Sequence, residues 1–517
     1  MTAEPLPGSP LQYLSTLAAA GDPADLIGHF VLGAPPPLVP AGWNSQTLGR
    51  WTVAADPALP IRALTDAQGT QLGWILGHPL IPGSTAPSPA TFTVDLGADP
   101  VDVGAVLDEQ LGHLAGRWIA LAVELATVVP DSDATLPAVF DAERGLVSSS
   151  PFLLQSADEP VPDHPLAAVV RTFDTGLWFL FDTTPHLRAR RLMGSHTLDL
   201  KTWEQTRRWP KTRFAATDPE EATESVIDAL QQVMIAAVAD AGPLNCALTA
   251  GGDTREILAA SRAFVDRLHY FAIAIPDFIG RRDVRISESL AKRFGLDHRT
   301  LQWVPAAQND VKLFMYRTGA QVGERRGRIA GPTYAQLASD RPYVAGVNAA
   351  VGNVWRDLGW RTTDTETTPL GPDDILERYF APPDALVLER ASAWLDGVAG
   401  FDTIEKLSLL SVELRLGNWG GALTTAYPDA YAYPMYPFAL REIKEAIFGV
   451  AYAYRTSGRI REDIVRLRWP ELLEVPVNPL TLQYMLGQKS ERASMLAHAA
   501  AARALRGLAS LRLARRP

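Results

Sequence analysis

The chain has 517 residues, 47% hydrophobic and 21% charged, and a net charge of −10. That length exceeds one ordinary core and suits two or three domains, and the composition is globular rather than disordered. The acidic balance argues against a general binder of nucleic acid or anionic membranes. The single cysteine, Cys246, excludes an internal disulfide and a cysteine-based zinc cluster, and points to a reducing cytoplasm.

The chain begins Met1-Thr2-Ala3-Glu4, and its first Lys or Arg is Arg50. No basic region precedes an apolar one, and no apolar stretch is long enough to span a bilayer, so a soluble cytoplasmic protein without signal or anchor is expected. Up to about Pro160 the sequence is rich in proline, glycine and β-favouring runs. Thr91–Leu96 alternates with period two, and Trp118–Val123 does so roughly, as strands of a half-buried or sandwiched sheet do. Val101–Leu114 has helical spacing and a stop near Gly116. Residues 1–160 therefore read as a mainly-β domain, and 161–217 as a connector with several helices.

Asp218–Ala241 is the clearest amphipathic helix, with Asp218 as N-cap, Pro219 at the first helical position, and Val226, Leu230, Val233, Met234 and Ala237 on one face. A short apolar run, Leu244 to Leu248, follows, then the turn Thr249-Ala250-Gly251-Gly252-Asp253-Thr254 and a helical stretch opening with Arg255. Buried Cys246 is expected to be a structural thiol. Next come a strand at His269–Ala274, a helix at Asp283–Phe294 stopped by Gly295, a strand at His298–Trp303 and a later strand at Tyr343–Gly346. This alternation predicts an α/β domain over 218–480 built on a mainly parallel, doubly wound sheet with a helical C-terminal part. The tail, 481–517, is alanine-rich and basic. It reads either as a packed or solvated helix or as a basic contact surface.

The turn at 249–254 carries the chemistry. A strand–turn–helix corner leaves backbone N–H groups unpaired at a helix N-terminus, where an anion binds. Ala250, Gly251 and Gly252 have almost no side chain, so a phosphate can approach the backbone. Thr249 and Thr254 add hydroxyls, and Asp253 adds a carboxylate able to hold a metal beside phosphates.

This segment resembles the pyrophosphate loop of the asparagine synthetase-like ATP pyrophosphatases, S-G-G-x-D-S. Thr249 stands for the first serine, Ala250 for the first glycine and Thr254 for the last serine, while Gly251 and Asp253 match and Arg255 fits an Asp-Ser-Arg variant. Asp283, Ala291, Gly295-Leu296 and His298 resemble the family's next helix and strand. Val412-Glu413-Leu414-Arg415, Tyr436-Pro437-Phe438, Arg455, Pro470–Leu473 and Pro476–Pro479 resemble later landmarks. Gly116-Arg117-Trp118, Asp131 to Asp133, Val139-Phe140 and Val147 to Pro151 resemble the glutaminase-type N-terminal domain, of the Ntn-hydrolase kind. Two departures stand out. There is no cysteine before Cys246 to serve as the glutaminase nucleophile; Thr2 could take that place only after methionine removal, and the proline-rich flank points instead to a mobile terminus, so release of ammonia from glutamine is not expected. The family's acidic loop after the fourth strand reads Val347 to Arg356 here, with no carboxylate before Asp357.

The resemblance implies adenylation of a small-molecule or peptide carboxylate with ATP and Mg²⁺, release of pyrophosphate, and amide formation with free ammonia or a substrate amine. It implies a cofactor site at Thr249, Ala250, Gly251, Gly252, Asp253, Thr254 and Arg255, with Asp253 holding magnesium. Asp253, Arg356 and Arg415 are the expected catalytic residues, with Arg255 and Arg455 as further anion-binding candidates. The alternative is a degenerate relative that serves as a binding, scaffold or regulatory protein. A second copy of the chain or a biosynthetic partner protein are the protein partners considered; no membrane or nucleic acid is expected.

Overall fold

The computed structural model describes residues 13–36, 38–97, 102–155, 179–324, 327, 331–346, 363–379, 381, 384–428 and 430–479. The calls on Thr2, on the loop 347–357 with Arg356 and Asp357, and on the tail lie outside them.

The N-terminal part is two sheets, one of six strands and one of seven. Their pairings are antiparallel, except that Ile61–Asp66 runs parallel to Thr91–Val94. The sheets share one core: Phe30, Leu32 and Val53 from the first meet Trp74, Leu76, Ile119 and Leu121 from the second. The strand Ala115–Ala122 is buried along its whole length. Its odd positions, Ile119 and Leu121, face that core, and its even positions, Trp118, Ala120 and Ala122, face Leu107 and Leu111. This is why its alternation is blurred in the sequence: both faces are covered. Leu107 and Leu111 belong to the helix Val103–Leu111, capped by Asp102. On the far side of the six-stranded sheet, Val31 and Ala54 pack against Leu14, Leu17, Phe314 and Met315. The order is helix, sheet, sheet, helix.

The sandwich runs past residue 160. Arg190–Arg191 pairs with Val139–Asp141, and the hairpin His196–Asp199 with Gln205–Arg207 adds to the seven-stranded sheet. The expected helical connector is therefore, in its described part from 179 to 217, mostly sheet edge and turn. These strands are short and polar, and long-range pairing rather than local pattern makes them strands.

The second part is an α/β unit. The helix Pro219–Ala241 is capped by the Asp218 carboxylate, with Val226, Leu230, Val233, Met234 and Ala237 fully buried. A five-stranded sheet follows, in the spatial order His298–Gln302, Leu268–Ala274, Leu244–Ala247, Tyr343–Val344, Pro434–Met435, with every neighbouring pair parallel. The strand Leu244–Ala247 is central. The two strands that follow it in sequence lie on one side and the last two on the other, so the order reverses there. The helix after the second strand is Phe278–Phe294, capped by Asp277, with Gly295 in the left-handed region. It starts five residues earlier than its spacing predicted, and Asp283 lies inside it rather than leading it. The C-terminal part is helical, and includes a π-helical stretch at Ser411–Gly420.

Buried ion pairs join the two parts. Lys444 Nζ lies 2.5 Å from Asp133 Oδ1 and donates to Ser132 Oγ at 2.9 Å, with no exposed surface on Lys444 or Asp133 side chains. Glu413 accepts from Arg207 at 2.7 and 3.2 Å and from the Trp394 indole at 2.7 Å. Asp108 accepts from both Arg208 and Arg441. The turn that presents Asp133 is organised by Asp131, whose carboxylate accepts the backbone N–H groups of Trp118, Asp133, Thr135 and Leu136. Among the described residues no helix is long and apolar enough to cross a membrane.

Candidate functional site

In an open parallel sheet the crevice for a ligand opens at the C-terminal ends of the strands where the strand order reverses. Here that point lies between Leu244–Ala247 and Tyr343–Val344. The segments leaving those two strands are 248–252 and 345–346. Gly346 abuts Asp253, and a β-carbon on it would lie 2.7 Å from the Asp253 β-carbon. Asp253 and Gly346, the residue just past the fourth strand, therefore share one edge of the sheet.

The turn is braced from within. Thr249 N donates to Thr254 Oγ1 at 3.1 Å, Gly251 N donates to Thr249 Oγ1 at 3.1 Å, and the two hydroxyls lie 3.3 Å apart. Ala250 N donates to Asp283 Oδ1 at 3.3 Å, and Ala250 O accepts from Asn478 N at 2.8 Å. The threonine hydroxyls and the first three amides thus shape the turn. The helix Gly252–Ala260 then begins, with Gly251 as N-cap in extended backbone (φ −74°, ψ 164°) and no side-chain cap bond. The amides of Gly252, Asp253 and Thr254 have no intrahelical acceptor, because a first turn has none. The candidate anion-binding amides are therefore those of 252–254 rather than the whole of 249–254, and they are covered: Gly252 and Thr254 are buried, and a β-carbon on Gly252 would lie 3.3 Å from Arg461 Nη1.

Arg255 differs from its expected role. It is fully buried, and its guanidinium donates to Leu472 O at 2.9 Å, to Val475 O and to Pro476 O at 2.8 Å. Burial lowers its pKa to about 10. It fastens residues 472–476 to the loop helix, and its Nε is buried without a hydrogen-bond partner. Arg455 is likewise interior: it donates to Ser408 Oγ at 3.3 Å and lies over the Phe448 ring. Arg415 is half-buried on the π-helical stretch. That stretch packs on the N-terminal sandwich, since a β-carbon on neighbouring Gly421 would meet Ala134 O at 2.4 Å. Cys246 is buried, and burial raises its thiol pKa, as a structural role requires.

Two residues at the site carry no sequence signal. Arg461, from the helix Arg459–Arg468, ion-pairs with Asp253, and its Nε lies 3.6 Å from Glu256 Oε1. Burial works against the Arg461 charge, but Asp253 and Glu256 outweigh it and hold the guanidinium protonated. Glu256 is 2% exposed, and its pKa is raised to about 7, first by burial and also by Asp253, against the pull of Arg461. Asp283 is also raised, chiefly by burial, with the Ala250 amide opposing. Arg461 and Glu256 resemble any charged residues of an exposed helix in sequence. Only the fold brings them to the turn.

No protein-family model matches this chain, and no curated protein matches it. Among the described residues there is no group of three or more His, Cys, Asp or Glu side chains able to hold a metal ion. The carboxylates beside the turn are Asp253, Glu256 and Asp283, with the Arg461 guanidinium against the first two. A divalent cation fits this place only by taking Asp253 from Arg461, with phosphate oxygens completing its shell.

Proposed function

We propose that the chain is an ATP-dependent ligase that adenylates a carboxylate and joins the acyl group to an amine, in the manner of the asparagine synthetase-like ATP pyrophosphatases. The observation that carries the reading is the helix Gly252–Ala260, which starts without a side-chain cap at the strand-order reversal of a parallel sheet. The helix–sheet–sheet–helix N-terminal part is compatible with a degenerate Ntn-hydrolase-like domain, and the sheet unit with a doubly wound nucleotide-binding domain. With no cysteine ahead of Cys246, the amine is free ammonia or a group on the substrate.

In this reading a substrate carboxylate oxygen attacks the α-phosphorus of ATP and pyrophosphate leaves. The amine then attacks the acyl carbon and AMP departs. The amides of Gly252, Asp253 and Thr254 meet the charge that gathers on the departing pyrophosphate, where fixed dipoles are most effective. Magnesium, when bound at Asp253, supplies further neutralisation of that charge. Gly346, without a side chain, lets the backbone just past the fourth strand approach Asp253.

A second reading is a nucleotide-binding or scaffold protein without turnover, and the Asp253–Arg461 pair favours it, because a cation of the chain already neutralises the carboxylate. ATP–pyrophosphate exchange with a panel of carboxylic acids separates the two. Magnesium-dependent exchange that Asp253→Ala abolishes supports the ligase. ATP binding without exchange supports the second reading, and failure to bind nucleotide overturns both.

A further inference from the structure

We infer that Arg117, with the hydroxyls of Tyr431 and Tyr436, forms a site for the carboxylate of a small molecule at the junction of the sandwich and the α/β unit. The inference goes beyond the ligase reading and holds whether or not 249–254 grips a diphosphate. Arg117 lies on the strand Ala115–Ala122, between Ala115, which belongs to the core of the α/β unit, and Ile119, which belongs to the core of the sandwich. The residue is only 3% exposed. Among the described residues its guanidinium makes one hydrogen bond, from Nε to Thr424 Oγ1 at 3.4 Å, and no ion pair. Arg208 and Arg378, comparably buried, instead hold Asp108 and Asp364 in ion pairs. Burial lowers the Arg117 pKa to about 10, so the group stays charged at neutral pH. Asp131 favours that charge from beyond ion-pair range, but its carboxylate is committed to four backbone amides and the Thr135 hydroxyl. His29 and His78 are held neutral, with pKa values of about 3, first by burial and then by Arg117 itself. A buried cation without a counter-ion destabilises a fold, and a bound anion removes that penalty.

Tyr431 and Tyr436 add donors. The charge of Arg117 reaches both hydroxyls, and neither makes a hydrogen bond among the described residues. Burial, above all, raises both phenol pKa values, so these groups remain O–H donors and cannot serve as the missing counter-charge. Tyr436 follows the strand Pro434–Met435 and packs with Ala345, the residue before Gly346. The site therefore belongs to the same end of the parallel sheet as the turn at 249–254. Its chemistry selects the ligand. A guanidinium edge gives a planar carboxylate two parallel charge-assisted bonds, and the phenols serve its remaining lone pairs. The site offers one positive charge, with its histidines and phenols neutral. A monoanionic carboxylate is matched by that charge, whereas a phosphate dianion would be left half-compensated in a buried place.

The test is calorimetric titration of the full chain, without nucleotide or metal, with acetate, propionate and succinate, and with inorganic phosphate as the dianion control. The variants are Arg117→Met, Tyr431→Phe and Tyr436→Phe. Tyr433→Phe is the control on the same segment, since its hydroxyl already donates to Asp240 Oδ2 at 3.5 Å. At least one carboxylate binds the wild type. Arg117→Met and the two phenol variants each weaken it at least ~10-fold, the worth of a hydrogen bond to a charged group, while Tyr433→Phe stays within about twofold. Thermal unfolding in ligand-free, low-salt buffer gives a second readout. Arg117→Met melts higher than the wild type, because an unpaired desolvated charge is gone, and the carboxylate no longer raises its midpoint. A purely structural arginine gives the opposite, a lower midpoint with carboxylate affinity unchanged. Failure of all three carboxylates to bind, phosphate binding tighter than any of them, or unchanged affinity in Arg117→Met overturns the inference, as does equal weakening in Tyr433→Phe. If Arg117→Met does not fold, Tyr431→Phe and Tyr436→Phe decide: unchanged affinity in both overturns it. With no nucleotide present, a failure here is separate from a failure of the diphosphate turn.

Discussion

Gly346 and Asp253 come from different strand ends and touch: a β-carbon on the glycine would lie 2.7 Å from the β-carbon of the aspartate. The contact brings Gly346, just past the fourth strand, against the loop helix. Gly346→Ala forces one of the two backbones to move, and overpacking of this kind costs about 1–3 kcal/mol. The expected outcome is a modest fall in thermal midpoint with a disproportionate loss of ATP binding, read by calorimetry. Loss of stability with unchanged binding would remove this contact from the site.

Arg255 holds the chain after Leu472 by three carbonyl oxygens. Arg255→Met keeps the bulk and abandons those buried acceptors, at a cost of about 3 kcal/mol or more. Arg255→Lys should recover little, since one ammonium does not span three carbonyls in the fork geometry. Chemical denaturation measures both. A cost within about 0.5 kcal/mol, the range of an ordinary surface change, would mean the clamp is dispensable.

The Lys444–Asp133 pair lies between the sandwich and the C-terminal helices with neither side chain exposed. Lys444→Met strands a buried carboxylate and is expected to cost about 3–5 kcal/mol, whereas adding Asp133→Leu should restore much of it. Denaturant midpoints of the single and double variants check this. Equal destabilisation in the single and double variants would show that the charge pairing is not what matters at the junction.

Glu256 gives the stability a pH signature. Its folded pKa is about 7, pushed up first by burial, against an ordinary value of 4.5. Between those values the folded chain keeps a proton that the unfolded chain releases, so this contribution to stability is full below 4.5, falls as pH rises, and levels off above about 7. Compared with Glu256→Gln, the wild type should lose roughly 2–3 kcal/mol from pH 5 to pH 8. Parallel pH profiles for the two proteins would refute the assignment.

What the sequence made legible was what local pattern encodes. Asp218, Pro219 and the spaced apolar residues of Pro219–Ala241 specify that helix without help from afar. The strands at 244–247 and 268–274 are mainly apolar runs between turns, and they and the more polar strand at 298–302 appear where expected. The helix starts at Phe278 under the Asp277 cap, five residues before Asp283, because neither aspartate's spacing alone marks which one leads. The fold instead turns Asp283 towards the amide of Ala250, 33 residues away. Arg255 adjoins the turn, which suggests a phosphate ligand, but its partners at 472 to 476 are distant in sequence. The same limit hid Arg461. Its helix also carries Arg459, Arg466 and Arg468, and nothing in the spacing distinguishes the one that reaches Asp253.

The amide of Gly252 offers the most direct measurement of the central claim, that the loop helix grips a diphosphate by its backbone. Gly251 has φ −74° and ψ 164°, a conformation that tolerates a following proline, and the first helical position accepts proline without loss of the helix. Gly252→Pro therefore deletes one N–H donor, and Gly252→Ala controls for the added β-carbon against the flexible Arg461 side chain. Calorimetric titration with ATP and Mg²⁺ should show Gly252→Ala within a few-fold of wild type and Gly252→Pro at least ~10-fold weaker, the worth of one hydrogen bond to a charged group. Equal ATP affinity in the wild type and both variants, with all three folded, would contradict the account.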